Sequence, residues 1–110
     1  MSLSKDTIRR WIRDLVDKYG TNDPYRLAEA LAIEIHEINN GNNNWIARAL
    51  QDKRTGIWVI VINHKSPEEE RAFGVAHELM HILIHQRNPL PRGDDLEILC
   101  DFGANEIIRR

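Results

Sequence analysis

The chain has 110 residues, 42% of them apolar, with a net charge of −2 and a pI of about 6.2. That is enough for one hydrophobic core and leaves no room for a second. No overall basic field supports direct nucleic-acid binding. No run of about eighteen apolar residues and no signal-peptide core directs the chain into or across a membrane, so the expected location is the cytoplasm. Cys100 is the only cysteine; it cannot form an intramolecular disulfide, suits a reducing compartment, and is expected to be a small buried helix residue.

In chain order, Ile8, Trp11, Ile12, Leu15, Val16 and Tyr19 follow helical spacing, with Ser4 or Asp6 to cap the start and Gly20 to end it. The opposite face carries Arg9, Arg10 and Arg13, which most simply form a solvated helix face. Asp23-Pro24 supplies an N-cap followed by proline at the first helical position, opening a short helix through Leu27 and Leu31. Ile33 and Ile35 alternate with Glu34 and His36 and predict a first strand. The stretch from Asn39 to Asn44, with Gly41, reads as a polar loop. Trp45 to Leu50 and Ile57 to Ile62 predict a hairpin, and the second of these runs is apolar throughout, so it is expected to be covered on both faces or central in a small sheet. Ser66-Pro67-Glu68-Glu69 combines the elements of a capping box that launches a long helix. Asn88-Pro89-Leu90-Pro91-Arg92-Gly93 breaks that helix, and a last one is expected from Asp94 or Asp95 with Leu96, Leu99, Cys100, Gly103 and Ile107 on its apolar face. There is no repeat. The expected architecture is one α+β domain over residues 1–110, with an N-terminal helix over 1–20 and a small antiparallel-type sheet packed against helices.

The chemistry lies in His77-Glu78-Leu79-Met80-His81. On a helix, residues four apart lie on one face about 6 Å apart along the axis, so both imidazoles can reach one ion from a rigid backbone. His-Glu-x-x-His is the arrangement of a zinc hydrolase, in which the carboxylate takes a proton from the attacking water. Phe73, Ala76, Met80, Leu83 and Ile84 form a core-facing stripe, and His77, His81 and His85 form a second stripe beside it. His85 is not expected to be a ligand, since three residues at this spacing span about 12 Å while zinc–nitrogen bonds are about 2.0 to 2.1 Å.

A catalytic zinc usually takes three protein ligands and keeps a position open for water. His36 and His64 precede the motif helix and are weaker candidates for the third ligand than the carboxylates that follow it, namely Asp94, Asp95, Glu97, Asp101 and Glu106. Glu97 borders the apolar face set by Leu96 and Cys100. Asp101 shares that flank one turn later and could orient a ligand. Both remain candidates on this reading, with Glu97 ahead.

The run Arg71-Ala72-Phe73-Gly74-Val75-Ala76-His77-Glu78-Leu79-Met80-His81-Ile82-Leu83-Ile84-His85 resembles the signature helix of the ImmA/IrrE metallopeptidase family, in which Arg and Phe precede Ala-His-Glu-Leu-Gly-His and an apolar run ends in His. Glu97-Ile98-Leu99-Cys100-Asp101-Phe102-Gly103-Ala104-Asn105-Glu106-Ile107-Ile108 is similar to the family's second zinc helix, and the segment from Asn22 to Ile33 is similar to its opening helix and strand. The resemblance covers most of the chain from about Asn22, the expected zincin-like core over 22–110. It implies His77, His81 and Glu97 as ligands of Zn2+ and Glu78 as catalytic base. Met80 stands where the family prefers Gly, Gly103 replaces the usual Phe, and the family's Leu-Met-Pro-like turn and further helices are not in this sequence. The expected core therefore lacks a C-terminal extension.

The expected function is that of a zinc-dependent endopeptidase. The resemblance implies an anti-repressor role in bacteria, mobile elements or phages, with a helix-turn-helix transcriptional repressor as the protein substrate. The alternative is a non-catalytic, metal-stabilised binding module that holds such a regulatory partner without cutting it. A purely structural zinc site is disfavoured, because closed sites usually need four Cys or His ligands. Histidine and carboxylate ligands also accept iron, cobalt, nickel or manganese.

Overall fold

The computed structural model describes residues 3–39, 45–86 and 93–110. The polar stretch 40–44 and most of the proline-containing stretch before the last helix, 87–92, lie outside them. The order of elements is α1 (Lys5–Tyr19), α2 (Pro24–Ala30), β1 (Glu34–Ile38), β2 (Ala47–Gln51), β3 (Trp58–Asn63), α3 (Glu68–His85) and α4 (Gly93–Arg109). The architecture is α+β.

Local chemistry sets the ends of the first two helices. Ser4 accepts a hydrogen bond from the Thr7 N–H, and α1 stops at Gly20, whose φ of 68° is readily adopted without a Cβ. Asp23 accepts from the Tyr25 N–H with Pro24 at the first position of α2. The start of α3 departs from the expected capping box. Its first helical residue is Glu68, Pro67 holds the cap position, and no side chain caps it. Ser66 instead turns its hydroxyl toward the Trp45 carbonyl at 3.4 Å and donates its own N–H to Asn63. It therefore ties the helix start to the sheet rather than to the helix.

The three strands lie in the order β1-β3-β2. β2 and β3 form the expected antiparallel hairpin, but β1 runs parallel to β3. The sheet is mixed, not antiparallel in type. Because β1 joins the far edge of β3, beyond the reach of a tight turn, its direction is set by how the chain returns and not by hairpin geometry. β3 is central. Ile60 and Ile62 are buried under the helices, while Val59 and Val61 on its other face are only partly covered.

α3 packs against β2 and β3 on one flank and against α2 and α4 on the other, α2 reaches β1, and α1 packs on α4 and α2. That is why α3 buries more than the single expected stripe. Val75, Leu79 and Ile82 join Ala76, Met80 and Ile84 in the core, whereas Phe73 and Leu83 sit at its margin. Ile8 and Ile12 of α1, Leu27 and Ala28 of α2, and Cys100, Ala104 and Ile107 of α4 complete it. Arg9, Arg10 and Arg13 are exposed; Arg9 pairs with Asp6 and Glu106, and Arg13 with Asp14. None of the helices among the described residues is long and apolar enough to cross a membrane.

Candidate metal centre

His77 and His81 project from consecutive turns of α3 toward α4, where Glu97 sits in the second turn. The His81 and His77 Nε2 atoms lie 3.2 Å apart. Glu97 bridges them, with Oε2 at 3.1 Å from His77 Nε2 and Oε1 at 2.9 Å from His81 Nε2. Among the described residues, these three form the group of side chains that could hold a metal ion. Ligands about 2.0 to 2.1 Å from a tetrahedral zinc would stand about 3.3 Å from one another. The donor atoms thus fit such an ion with little movement, and two imidazoles with one carboxylate is a catalytic zinc set.

Asp101 occupies a different place. Its Oδ1 lies 2.7 Å from His77 Nδ1, on the far side of the imidazole from the Nε2 that meets Glu97, a placement from which a carboxylate can orient a metal-binding histidine. The side chains that rivalled Glu97 are elsewhere. His36 pairs with Glu34, and His64 with Glu37, toward the β1 edge of the sheet. His85 leans edge-on against Trp58, with ring centroids 5.2 Å apart.

Glu78 points to the other side of His77. Its Oε1 accepts the Ala49 main-chain N–H of β2 at 2.8 Å, while its Oε2 lies 4.0 Å from His77 Nε2. Burial pushes its carboxyl above the usual range, against the pull of the His81 and His77 rings and the Ala49 N–H. Clefts open on both sides of it. The larger, about 840 Å³, is walled by Trp45, Ile46, Phe73 and Gly74, with Lys65 and Glu70 at its rim. The smaller, about 320 Å³, lies between Trp58, His81, His85 and Leu96.

Sequence patterns did not reveal Ala49, Asn63 or the aromatic walls as parts of this site. A main-chain donor leaves no residue-type signal, although the small Ala47 and Ala49 within a strand hint at a close approach. Asn63 is fully buried; it donates to the Trp45 carbonyl and accepts the Lys65 N–H, which fixes the corner where the larger cleft begins.

The IrrE N-terminal-like domain model, Peptidase_M78, matches residues 28–104. The chain belongs to this family. It is similar to the phage-like element PBSX protein XkdA of Bacillus subtilis strain 168, at 26% identity over 92% of this chain and 50% of that protein. It is also similar to the uncharacterized immunity region protein 2 of Bacillus phage phi105, at 33% identity over 76% of this chain and 51% of that protein. The chain thus spans about half the length of these curated relatives. The Peptidase_M78 match spans both histidines, Glu78, Glu97 and Asp101.

Proposed function

We propose that this Peptidase_M78 domain is a zinc-dependent endopeptidase. The observation that carries the reading is the convergence of His77 Nε2, His81 Nε2 and Glu97 on one point beside the carboxylate of Glu78. His77, His81 and Glu97 would hold the metal, and Asp101 would keep His77 in the tautomer that can bind it. When bound, zinc supplies a Lewis acid that polarises the scissile carbonyl and acidifies water. Glu78 takes a proton from the attacking water and returns it to the leaving amine; burial holds its pKa above that of an ordinary carboxylate, which suits both transfers. β2 is an edge strand, so a substrate can align along it in extended form, with side chains entering the clefts on either side of Glu78.

The substrate we propose is a helix-turn-helix transcriptional repressor, which makes the protein an anti-repressor of a phage or mobile element. The support is the family resemblance together with the immunity-region and phage-like-element relatives. The test is incubation of the zinc-loaded protein and of Glu78→Gln with a helix-turn-helix repressor from the same genome. The expected outcome is a defined cut by the wild type and none by Glu78→Gln, which retains zinc. Cleavage by the variant at the wild-type rate would remove Glu78 from the mechanism. A stable complex with no cut by the wild type would mark the domain as a module that only holds its partner.

A further inference from the structure

The two oxygens of Glu78 have unlike surroundings, and the cause lies in β2. Ile46 pairs with Asn63 through the Asn63 N–H, and Asp52 pairs with Ile57 through its own N–H. The same antiparallel register sets Ala49 opposite Ile60. Bonded and non-bonded pairs alternate along such a ladder, so the N–H of Ala49 faces away from β3, toward the open edge. There it donates to Glu78 Oε1 at 2.8 Å.

The close approach is built into the sequence. Gly74 lies one helical turn before Glu78, and a Cβ on it would stand 2.7 Å from Ile46 Cγ2 and 3.3 Å from Ala47 Cβ. Four helix residues advance about 6 Å and two strand residues about 6.8 Å. The Gly74–Ala47 approach and the Glu78–Ala49 bond are therefore in step along the two elements.

We propose that the main-chain N–H of Ala49 is a positioning donor: it anchors Oε1 of Glu78 and leaves Oε2, the oxygen facing His77, to carry the proton. The inference rests on the reading of Glu78 as the base. A charge-assisted bond from a strand held in a sheet stops the carboxylate from rotating and fixes which lone pairs face the ligand cluster.

Amide hydrogen exchange on the metal-free protein tests the anchor without any substrate. The Ala49 amide is expected to exchange at least tenfold faster in Glu78→Ala than in wild type, with Arg48 and Leu50, which face β3, unchanged. Equal Ala49 rates in the two proteins would overturn the proposal. Catalysis is tested with Ala49→Pro, which removes the donor at an edge position where proline costs no ladder bond, against Ala49→Gly, which keeps it. With a helix-turn-helix repressor that the wild type cuts as substrate, the proline variant is expected to lose at least tenfold more kcat than the glycine variant, with matching KM and matching zinc affinity in competition with a chromophoric chelator. Equal kcat values, or a loss confined to KM, would overturn the proposal. Failure of the wild type to cut the repressor counts against the peptidase reading alone, since amide exchange decides the anchor in either case.

Discussion

The two carboxylates that α4 sets against His77 meet opposite nitrogens of its ring, and the difference predicts distinct phenotypes. Glu97 meets Nε2 and Asp101 meets Nδ1. Replacing Asp101 with Asn keeps the size but removes the charge beside Nδ1, so zinc affinity is expected to fall roughly 10- to 100-fold without being abolished, as measured by chelator competition. Cys100 behaves in the opposite manner. It is fully buried, and burial pushes its thiol up to about 12, with Glu97, Glu78 and Asp101 adding to the effect. The unfolded chain releases that proton from about pH 8.5, whereas the folded chain keeps it. The associated stability is complete below that pH and is lost as pH rises toward the folded value. Urea midpoints from pH 8 to 10.5 are expected to fall more steeply for the wild type than for Cys100→Ala.

At the scale of elements, the two departures from the family pattern prove to be neighbours. A Cβ on Gly103 would stand 2.6 Å from Met80 Cε and 2.8 Å from Met80 Cγ. The large residue on α3 and the small one on α4 therefore fill a shared space, the reverse of the Gly and Phe the resemblance led one to expect. Gly103→Ala gains helix propensity of about 1 kcal/mol but overpacks by about 1 to 3 kcal/mol, a net loss on the order of 1 kcal/mol. In a Met80→Ala background the same change is expected to stabilise by about 0.5 to 1 kcal/mol, and a double-mutant cycle in urea checks the reversal of sign. This contact was not legible in the sequence, since positions 80 and 103 meet only after α3 and α4 pack. Periodicity did locate α1, α2, the hairpin and the motif helix, because each is governed by local spacing and turn residues. It missed the parallel pairing of β1, which depends on the path between elements, and it placed a cap on Ser66 whose hydroxyl is turned toward Trp45 by the sheet. Helical period put both Glu97 and Asp101 on the flank beside Leu96 and Cys100 without choosing between them; the choice of Glu97 came from the family resemblance, and the two carboxylates part only where α4 meets α3, Glu97 at His77 Nε2 and Asp101 at Nδ1.

For the whole molecule, one ion would tie α3 to α4 through His77, His81 and Glu97. Both helices contribute to the single core, so a ligand that binds only their packed arrangement stabilises the entire fold. At a free zinc concentration of about 100 times Kd the gain is about 2.7 kcal/mol, which raises the melting midpoint of a domain this size by roughly 10 °C. A chelator is expected to reverse the shift. The same reasoning explains why the site can sit at the surface, with the Glu97 side chain 58% exposed, and still control stability. If His77, His81 and Glu97 hold one zinc ion, calorimetric titration of zinc into wild type and Glu97→Ala separates them. One zinc per wild-type chain and at least 100-fold weaker binding in the variant are expected; unchanged affinity in Glu97→Ala would take Glu97 out of the site.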